Sequence, residues 1–473
     1  MNLQHWVNKA KDKLADLNIE EIKKTGILPD GGNKFFPVIG YPPLTMFSDM
    51  DETNLFKDFS QRPERPLSAY VHIPFCPTRC TFCHWITKTK SKQEEVDVYL
   101  NYLEREMILY KNKMGVEKIS ASSVLIGGGT PTYLNNPQMT RFMEMMHRHY
   151  DLDQCTQFSM EAEPATIIGD EGLEKLQIMK DHGVDRVSLG VQSFDDPILA
   201  YMGRSHTHAQ TLESIETMRK AGIDNIFIDL IYAYPNQTVE DWAKNMLTAV
   251  SLDIEGYQLY RLRIKQHGDR QGNIIRQFNR KPDQFATADE ILQMKMLGKI
   301  ISEEHGFGEH QARIFAKRED LMSHYLRDWT NELFDVAGVG VSAWSNLRGV
   351  FSLNVGDQNL QSYYDSIDQG KVSVNRGKIR TRDDEIRRSF LLPLKNIKVD
   401  KKSFEDRTGV SVHSQFQHEI DWLKSINLLA EDDKFVWLTN RGRFFADEVS
   451  TQFFNPDYLP FPEVARISHS RAS

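Results

Sequence analysis

Three cysteines fall within eight residues, Cys76, Cys80 and Cys83 in YVHIPFCPTRCTFC (70–83), and the fourth, Cys155, stands alone. A C-x3-C-x2-C spacing lets the loop between the thiols turn all three sulfurs inward on one soft metal centre. A zinc ion takes a fourth protein ligand, which His72 or His84 could supply, whereas an iron-sulfur cube held by three cysteines keeps one iron open. Three unrelated buried thiols are the remaining reading. Disulfides do not fit, because the group is odd in number and nothing else points to an oxidising compartment.

Further groups able to do chemistry recur downstream. IGGGTP (126–131) offers bare backbone N–H and C=O groups to a carboxylate or an amine, and its glycines let a ligand approach closely. Glu161 could accept hydrogen bonds from an ammonium or a ribose; Gln192 both donates and accepts; Arg204 could grip a carboxylate with two N–H groups. Asp229 follows in DLIYAYPNQT (229–238). Taken singly, each could merely cap a neighbouring helix. Their recurrence at the ends of successive apolar runs argues for a shared site.

Those runs are the elements that must position them. Short β-branched stretches at 67–73, 122–126, 157–161, 186–190, 225–232 and 256–264 alternate with helical periods. Between the first two, Val96, Tyr99, Leu100, Leu103 and Met107 keep the spacing of an amphipathic helix. Six such units predict an α/β fold, an open (βα)6 partial TIM barrel, with chemistry at the C-terminal strand ends. Asp229 is expected inside the fifth strand, and Arg261, Arg263 and Lys265 on one face of the sixth, where buried cations are costly unless solvated or answered by an anion.

Around the barrel, Val7, Ala10, Leu14 and Leu17 predict a short N-terminal helix, and 35–47 an irregular arm that either covers the site or packs on the surface. A helical stretch at 284–305, a connector at 309–345 and a last segment with helices at 383–392 and 412–426 followed by FVWL (435–438) complete the chain. The predicted division is 1–60 helix and arm, 61–305 barrel, 306–373 connector, and 374–473 a winged-helix-like α+β region. With 473 residues, 40% apolar, 26% charged and net charge −8, the composition is that of a soluble globular protein. A mildly acidic balance argues against nucleic acid, and the mixed charge of Glu419, Asp421 and Lys424 makes 412–426 a poor recognition helix. The first residues are too evenly charged for a secretory leader or membrane span, so a cytoplasmic location is expected.

The strand running into C-x3-C-x2-C, with Phe82 before the last cysteine, resembles the cluster loop of the radical S-adenosylmethionine (SAM) superfamily. Together PERPLSAYVHIPFC (63–76), GGGTPTYLN (127–135), SLGVQSF (188–194) and DLIYAYPNQT closely resemble the oxygen-independent coproporphyrinogen III oxidase-like family. The likeness continues in GVGVSA (338–343), RDDEIRR (382–388) and LTNRGR (438–443). The resemblance implies a 4Fe-4S cluster on Cys76, Cys80 and Cys83, with Phe82 on the adenine side of the cleft. It implies that Tyr70, Gly128, Gly129, Thr130, Glu161, Gln192, Arg204 and Asp229 bind two SAM molecules. One SAM would yield a 5'-deoxyadenosyl radical that abstracts hydrogen, driven by an electron donor such as flavodoxin or ferredoxin. For the C-terminal region the implied role is a lid or substrate wall.

Departures from the family pattern shape the expected reaction. His84-Trp85 replaces Gly-Cys after the third cysteine, and Tyr325-Leu326 stands where the family has Phe-Gln, a second-SAM contact. His84 becomes a candidate proton acceptor beside the cluster, with Tyr70 the second candidate catalytic residue. The expectation is C-methylation or methylene transfer to an sp2 carbon of a small molecule that could bear carboxylates. The alternatives are oxidative decarboxylation of coproporphyrinogen III and a haem-binding or trafficking protein without turnover.

Overall fold

The computed structural model describes residues 3–28, 38–62, 64–264, 273–356 and 360–458. Six parallel strands follow one another in chain order: β1 (Leu67–Ile73), β2 (Ser123–Gly128), β3 (Gln157–Ala162), β4 (Arg186–Gln192), β5 (Asn225–Tyr232) and β6 (Gly256–Arg261). The crossovers run through helices α1 (Gln93–Met114), α2 (Asn136–His149), α3 (Gly169–Asp181), α4 (His208–Lys220) and α5 (Val239–Ser251), with α6 (Ala288–Glu304) after β6. The sequence starts these helices locally. Asn135 with Gln138, Thr207 with Gln210, Thr238 with Asp241 and Thr287 with Glu290 each form reciprocal capping boxes that satisfy the first free N–H groups.

The sheet does not close. On the β6 side it continues into an antiparallel hairpin, β7 (Gly308–Gln311) and β8 (Ile314–Ala316). On the β1 side β9 (Asp335–Val339) adds a seventh parallel strand, followed by antiparallel β10 (Trp344–Leu347), β11 (Val350–Asn354) and β12 (Val374–Ile379). The predicted connector therefore extends the barrel sheet itself. Beyond α7 (Arg382–Lys395) a small sheet of Lys398–Asp400, Phe435–Leu438 and Leu429–Glu431 packs with helices Lys401–Thr408 and Val412–Ser425. Among the described residues no helix is long and apolar enough to cross a membrane.

Strand ends differ from expectation in a consistent way. β2, β3 and β4 run on through Gly128, Ala162 and Gln192, because hydrogen bonding to neighbours continues past the apolar run: His72 pairs with Gly127 and Ile73 with Gly128. β6 stops at Arg261, so Arg263 lies beyond it and the two do not share a strand face as expected; Lys265 lies outside the described residues. The 284–305 stretch resolves into a turn at Pro282–Gln284 and helix α6, which its Thr287 cap starts three residues later.

The N-terminal helix Leu3–Asp16 buries Val7 and Ala10 against α5 and α6. Of the arm, 35–37 lies outside the described residues. Its remainder is tied to the C-terminal region: the Val38 N–H donates to Asp447 Oδ1 (2.8 Å) and Tyr41 packs edge-on to Phe454. Phe47 reaches β11 at Phe351.

A buried carboxylate joins the barrel to the added strands. Glu106 on α1 accepts from the Gly340 N–H (2.6 Å), Asn354 Nδ2 (3.1 Å), Tyr363 OH (2.9 Å) and Ser373 Oγ (3.1 Å). Glu106→Ala leaves these donors buried without their acceptor and is expected to cost about 3 kcal/mol or more. Urea or thermal denaturation reads this directly, and an unshifted midpoint would mean the donors are satisfied elsewhere.

Candidate functional site

Side chains on β4 alternate: Val187, Leu189 and Val191 are buried against helices, while Ser188, Gly190 and Gln192 are half-buried toward the barrel cleft. Glu161 and Asp229 are the corresponding half-buried residues of β3 and β5. A β-bulge adjusts the last pair. Between Ile228↔Leu189 and Leu230↔Gln192, two residues of β4, Gly190 and Val191, oppose the single Asp229. Gln192 takes a positive φ of 69° there, bringing its amide to the strand end beside Asp229.

The cysteine loop leaves β1 and returns across the cleft. Its first turn is fixed to the glycine triplet, since the Gly129 N–H donates to Ile73 O and the Thr130 N–H to Phe75 O, both at 2.7 Å. A Cβ on Gly129 would sit 2.7 Å from Phe75 O and 3.0 Å from Cys76 Sγ, so only glycine permits this approach. A Cβ on Gly127 would meet the Glu161 carboxylate at 2.7 Å, the same carboxylate that accepts from the Gly128 N–H (3.1 Å). Further along, the Thr81 N–H donates to Met202 O (2.9 Å) and Thr78 Oγ1 to Gly203 O (2.7 Å), which pins the loop to the segment after β4.

The three thiols have polar company. Thr130 Oγ1 donates toward Cys76 Sγ at 3.5 Å and Arg204 Nη1 toward Cys80 Sγ at 3.3 Å. Burial pushes the Cys76 thiol up to about 12 and the Cys83 thiol to about 11, and the neighbouring thiols push the same way. Such thiols become thiolates when a metal centre supplies the positive charge that burial withholds. Among the described residues no three His, Cys, Asp or Glu side chains close on a single ion. The loop, its donors and the glycine cradle fit a larger group shared by three thiolates.

Arg204 faces this loop rather than open cleft. Its Nη2 donates to Gly190 O (2.6 Å) and lies 3.5 Å from Glu163 Oε1, which also accepts from Ser205 Oγ and His206 Nδ1, each at 2.8 Å. Glu163 is therefore the residue that steadies Arg204. Sequence reading passed over it, although it stands two residues from Glu161. Arg186 was likewise missed as a site residue: it shares the alternating face of Gln192, and its guanidinium stacks 4.2 Å over Phe227 and donates to Ser188 Oγ (2.8 Å). An arginine on the inward positions of a short apolar strand was the available signal.

Charge inside the cleft is finely set. Burial and then the charge of Asp229 push the Glu161 carboxyl up to about 7. Burial pushes Asp229 to about 7 as well, against the pull of Arg186, Arg204 and Arg313. Burial in turn lowers the Arg186 guanidinium to about 10.

Tyr70 lies deeper on β1, its OH 3.0 Å from His72 Nδ1 and its ring stacked with Trp344 and near Tyr325. Phe82 packs edge-on to Tyr234 at the far side of the loop, within an apolar cluster that includes Met202 and Ile231. His84 Nε2 lies 3.4 Å from Arg263 O, so that nitrogen carries the proton and Nδ1 is the acceptor. Nδ1 is buried with no partner among the described residues, and burial holds the imidazole below its ordinary range, hence neutral near pH 7.

A family model for the radical SAM superfamily matches residues 70–249, and one for the HemN C-terminal domain matches 381–445. The heme chaperone HemW of Bacillus subtilis is 33% identical over 390 residues, spanning 82% of this chain and 98% of that protein. The oxygen-independent coproporphyrinogen III oxidase of Escherichia coli is 27% identical over 428 residues, 87% of this chain and 91% of that one. The solved structure of coproporphyrinogen III oxidase (HemN) from Escherichia coli, a radical SAM enzyme, superposes with a TM-score of 0.76 at 26% identity, covering 89% and 97%.

A raised carboxyl carries a stability signature. Asp229 ionises near 4 in an unfolded chain and near 7 in the fold, so its contribution is present below about pH 4 and lost as pH rises toward 7. Melting temperature is therefore expected to fall more between pH 5 and pH 8 for the wild type than for Asp229→Asn. Parallel pH profiles would show that Asp229 does not titrate in this range.

Proposed function

Because the chain belongs to the oxygen-independent coproporphyrinogen III oxidase and HemW family of radical SAM proteins, we propose that it abstracts hydrogen from a carboxylate-bearing tetrapyrrole, with oxidative decarboxylation of the coproporphyrinogen III type as the reaction. One observation carries the reading. The cysteine loop is tied to the glycine triplet and to the segment after β4, with Arg204 aimed at Cys80, beside the strands that carry Glu161 and Gln192 at their ends and Asp229 within β5.

Cys76, Cys80 and Cys83 would hold a 4Fe-4S cluster. The cluster and SAM together supply one-electron abstraction of a hydrogen atom, fed by a donor such as flavodoxin or ferredoxin. The chain's own residues do the rest. Gly128 and Gly129, whose N–H groups are taken by Glu161 and Ile73 O, would let a ligand approach the backbone closely, and Glu161 and Asp229 accept hydrogen bonds in the forms present above pH 7. Gln192 donates and accepts, Thr130 supports the Cys76 sulfur, and Phe82 gives an apolar wall. Tyr70 lies at the aromatic floor, and His84 Nδ1 can take a proton next to the loop. In the decarboxylation a propionate loses its β-hydrogen atom, carbon dioxide leaves, a vinyl group forms, and the one electron left over passes to an acceptor.

The methyl or methylene transfer favoured by the sequence gives way here. It rested on the two departures at His84-Trp85 and Tyr325-Leu326, whereas the similar proteins are named as an oxidase and a haem chaperone. A haem-holding role remains as a second reading, supported by the 33% identity to HemW along nearly its whole length.

Anaerobic reconstitution with iron and sulfide, followed by reductant, SAM and coproporphyrinogen III, is expected to yield methionine, 5'-deoxyadenosine and carbon dioxide. S-adenosylhomocysteine with a methylated product would reinstate transfer, and tight haem binding without deoxyadenosine would favour the chaperone role. Cys76→Ala is expected to lose iron loading and SAM cleavage together; cleavage that survives in that variant would sink the assignment.

A further inference from the structure

Against the cysteine loop lies a short helix, Asn273–Arg280, whose sequence NIIRQFNR divides by helical period. Ile274 and Phe278, one turn apart, join the apolar cluster that holds Phe82, Met202 and Tyr234, and Ile274 is fully buried. The Ile274 N–H donates to Thr81 O (3.1 Å), which ties the helix to the loop between its second and third cysteines. A second tie runs through tyrosines. Gln277 Nε2 donates to the Tyr201 OH, the Tyr234 OH donates to Tyr201 O (3.5 Å), and the Tyr234 OH also meets Thr81 Oγ1.

The opposite face of this helix is charged. Arg276 and Arg280, again one turn apart, are exposed, as is Lys281 just after them. With Asn273, Gln277 and Tyr201 they line an open recess of about 400 Å³ that contains no acidic side chain. Among the described residues none of the three cations has an ion pair or a side-chain hydrogen bond, and Asp283, the next acid along the chain, pairs with none of them. In a chain of net charge −8 this is a local inversion of sign. Like charges one turn apart weaken a helix, so the arrangement does nothing for the fold. Arg79, exposed on the cysteine loop, adds a positive charge nearby: its carbonyl lies 3.3 Å from where a Cβ on Gly203 would sit, two residues after Tyr201.

Because Ile274 and Phe278 close the inner side, a molecule in the barrel cleft does not meet this recess. What the recess adjoins is the cysteine loop, one helix thickness away, about 10 Å. Tyr201, 41% exposed, gives it an aromatic centre among arginines, the composition that carries binding energy at protein interfaces. We propose that Arg276, Arg280 and Lys281 around Tyr201 form the docking face for an acidic one-electron carrier protein of the flavodoxin type, which delivers its electron through the helix to the cysteine loop. The carrier's flavin hydroquinone gives up one electron and becomes the semiquinone, and the cluster on the three thiolates is reduced by one electron. This rests on the cluster reading above and is independent of the tetrapyrrole.

The test uses an acidic flavodoxin and the full chain in three forms: wild type, a triple glutamine variant (Arg276→Gln, Arg280→Gln, Lys281→Gln) and a triple glutamate variant (Arg276→Glu, Arg280→Glu, Lys281→Glu). Calorimetry measures binding of oxidised flavodoxin at low and high salt. In the reconstituted protein, bleaching of the cluster absorbance is followed with reduced flavodoxin and, separately, with the methyl viologen radical cation. Wild-type affinity is expected to fall as salt rises. The glutamate variant should bind roughly tenfold or more weakly at low salt and accept electrons from flavodoxin correspondingly slowly, with the glutamine variant between the two. Methyl viologen, small and positively charged, should reduce all three forms equally well or the glutamate variant faster. A wild type that does not bind flavodoxin, binding indifferent to salt or to both variants, or equal slowing with both reductants would overturn the docking face and leave the cluster reading intact. A wild type that assembles no cluster would overturn both.

Discussion

The cysteine loop is held by backbone hydrogen bonds from two directions, and the layout of the cleft depends on that constraint. On one side Gly129 and Thr130 donate to carbonyls of the segment leaving β1; on the other Thr81 donates to Met202. Side chains between the two anchorages cannot move independently of the strand ends. The Glu161 carboxylate rests on Gly127, the Cys76 sulfur on Gly129, and the Arg204 guanidinium spans from Gly190 to Cys80. A methyl group at Gly129 would push the loop from the barrel and one at Gly127 would displace the Glu161 carboxylate, so the triplet is a packing requirement before it is a binding surface.

Electrostatics divides the cleft in two. Toward β3 and β5 it holds carboxyls that burial pushes up to about 7, so that each is only partly ionised near that pH, with Arg186 between the strands. Toward β6 and the C-terminal region it holds an excess of arginine and lysine. A ligand with an ammonium and a ribose suits the first half, and a polycarboxylate suits the second. The cysteine loop and the strand residues lie between them, so the proposed hydrogen abstraction would fall where two differently charged molecules meet.

The added strands and the C-terminal region complete the cleft without supplying its central groups. Glu106 ties β9, β11 and residue 373 to the first barrel helix, and Asp447 ties the arm at Val38 to Lys395 of α7. Both are buried carboxylates paired with several donors, so each makes its junction specific as well as tight. The arm thereby becomes a strap between the barrel sheet and the C-terminal region, with Tyr41 and Phe47 as its apolar ends.

Much of this was written in short-range pattern. Six apolar runs with helical periods between them gave the strand order, because period two and period 3.6 are local consequences of backbone geometry. Cys76, Cys80 and Cys83 were legible from spacing, Glu161 and Gln192 from recurring at strand ends, and Asp229 from its place within the fifth apolar run. Contacts made across the chain were not legible. The bulge that sets Asp229 against Gly190 and Val191, the hold of Glu163 on Arg204 and the end of β6 at Arg261 each depend on residues from different strands or turns. The sequence by itself determined the barrel's order and the identity of its cysteine loop, since neighbouring residues suffice for both. Only the tertiary structure decided which charges are neutralised and which are left facing the cleft, because that depends on distances between segments that no local pattern encodes.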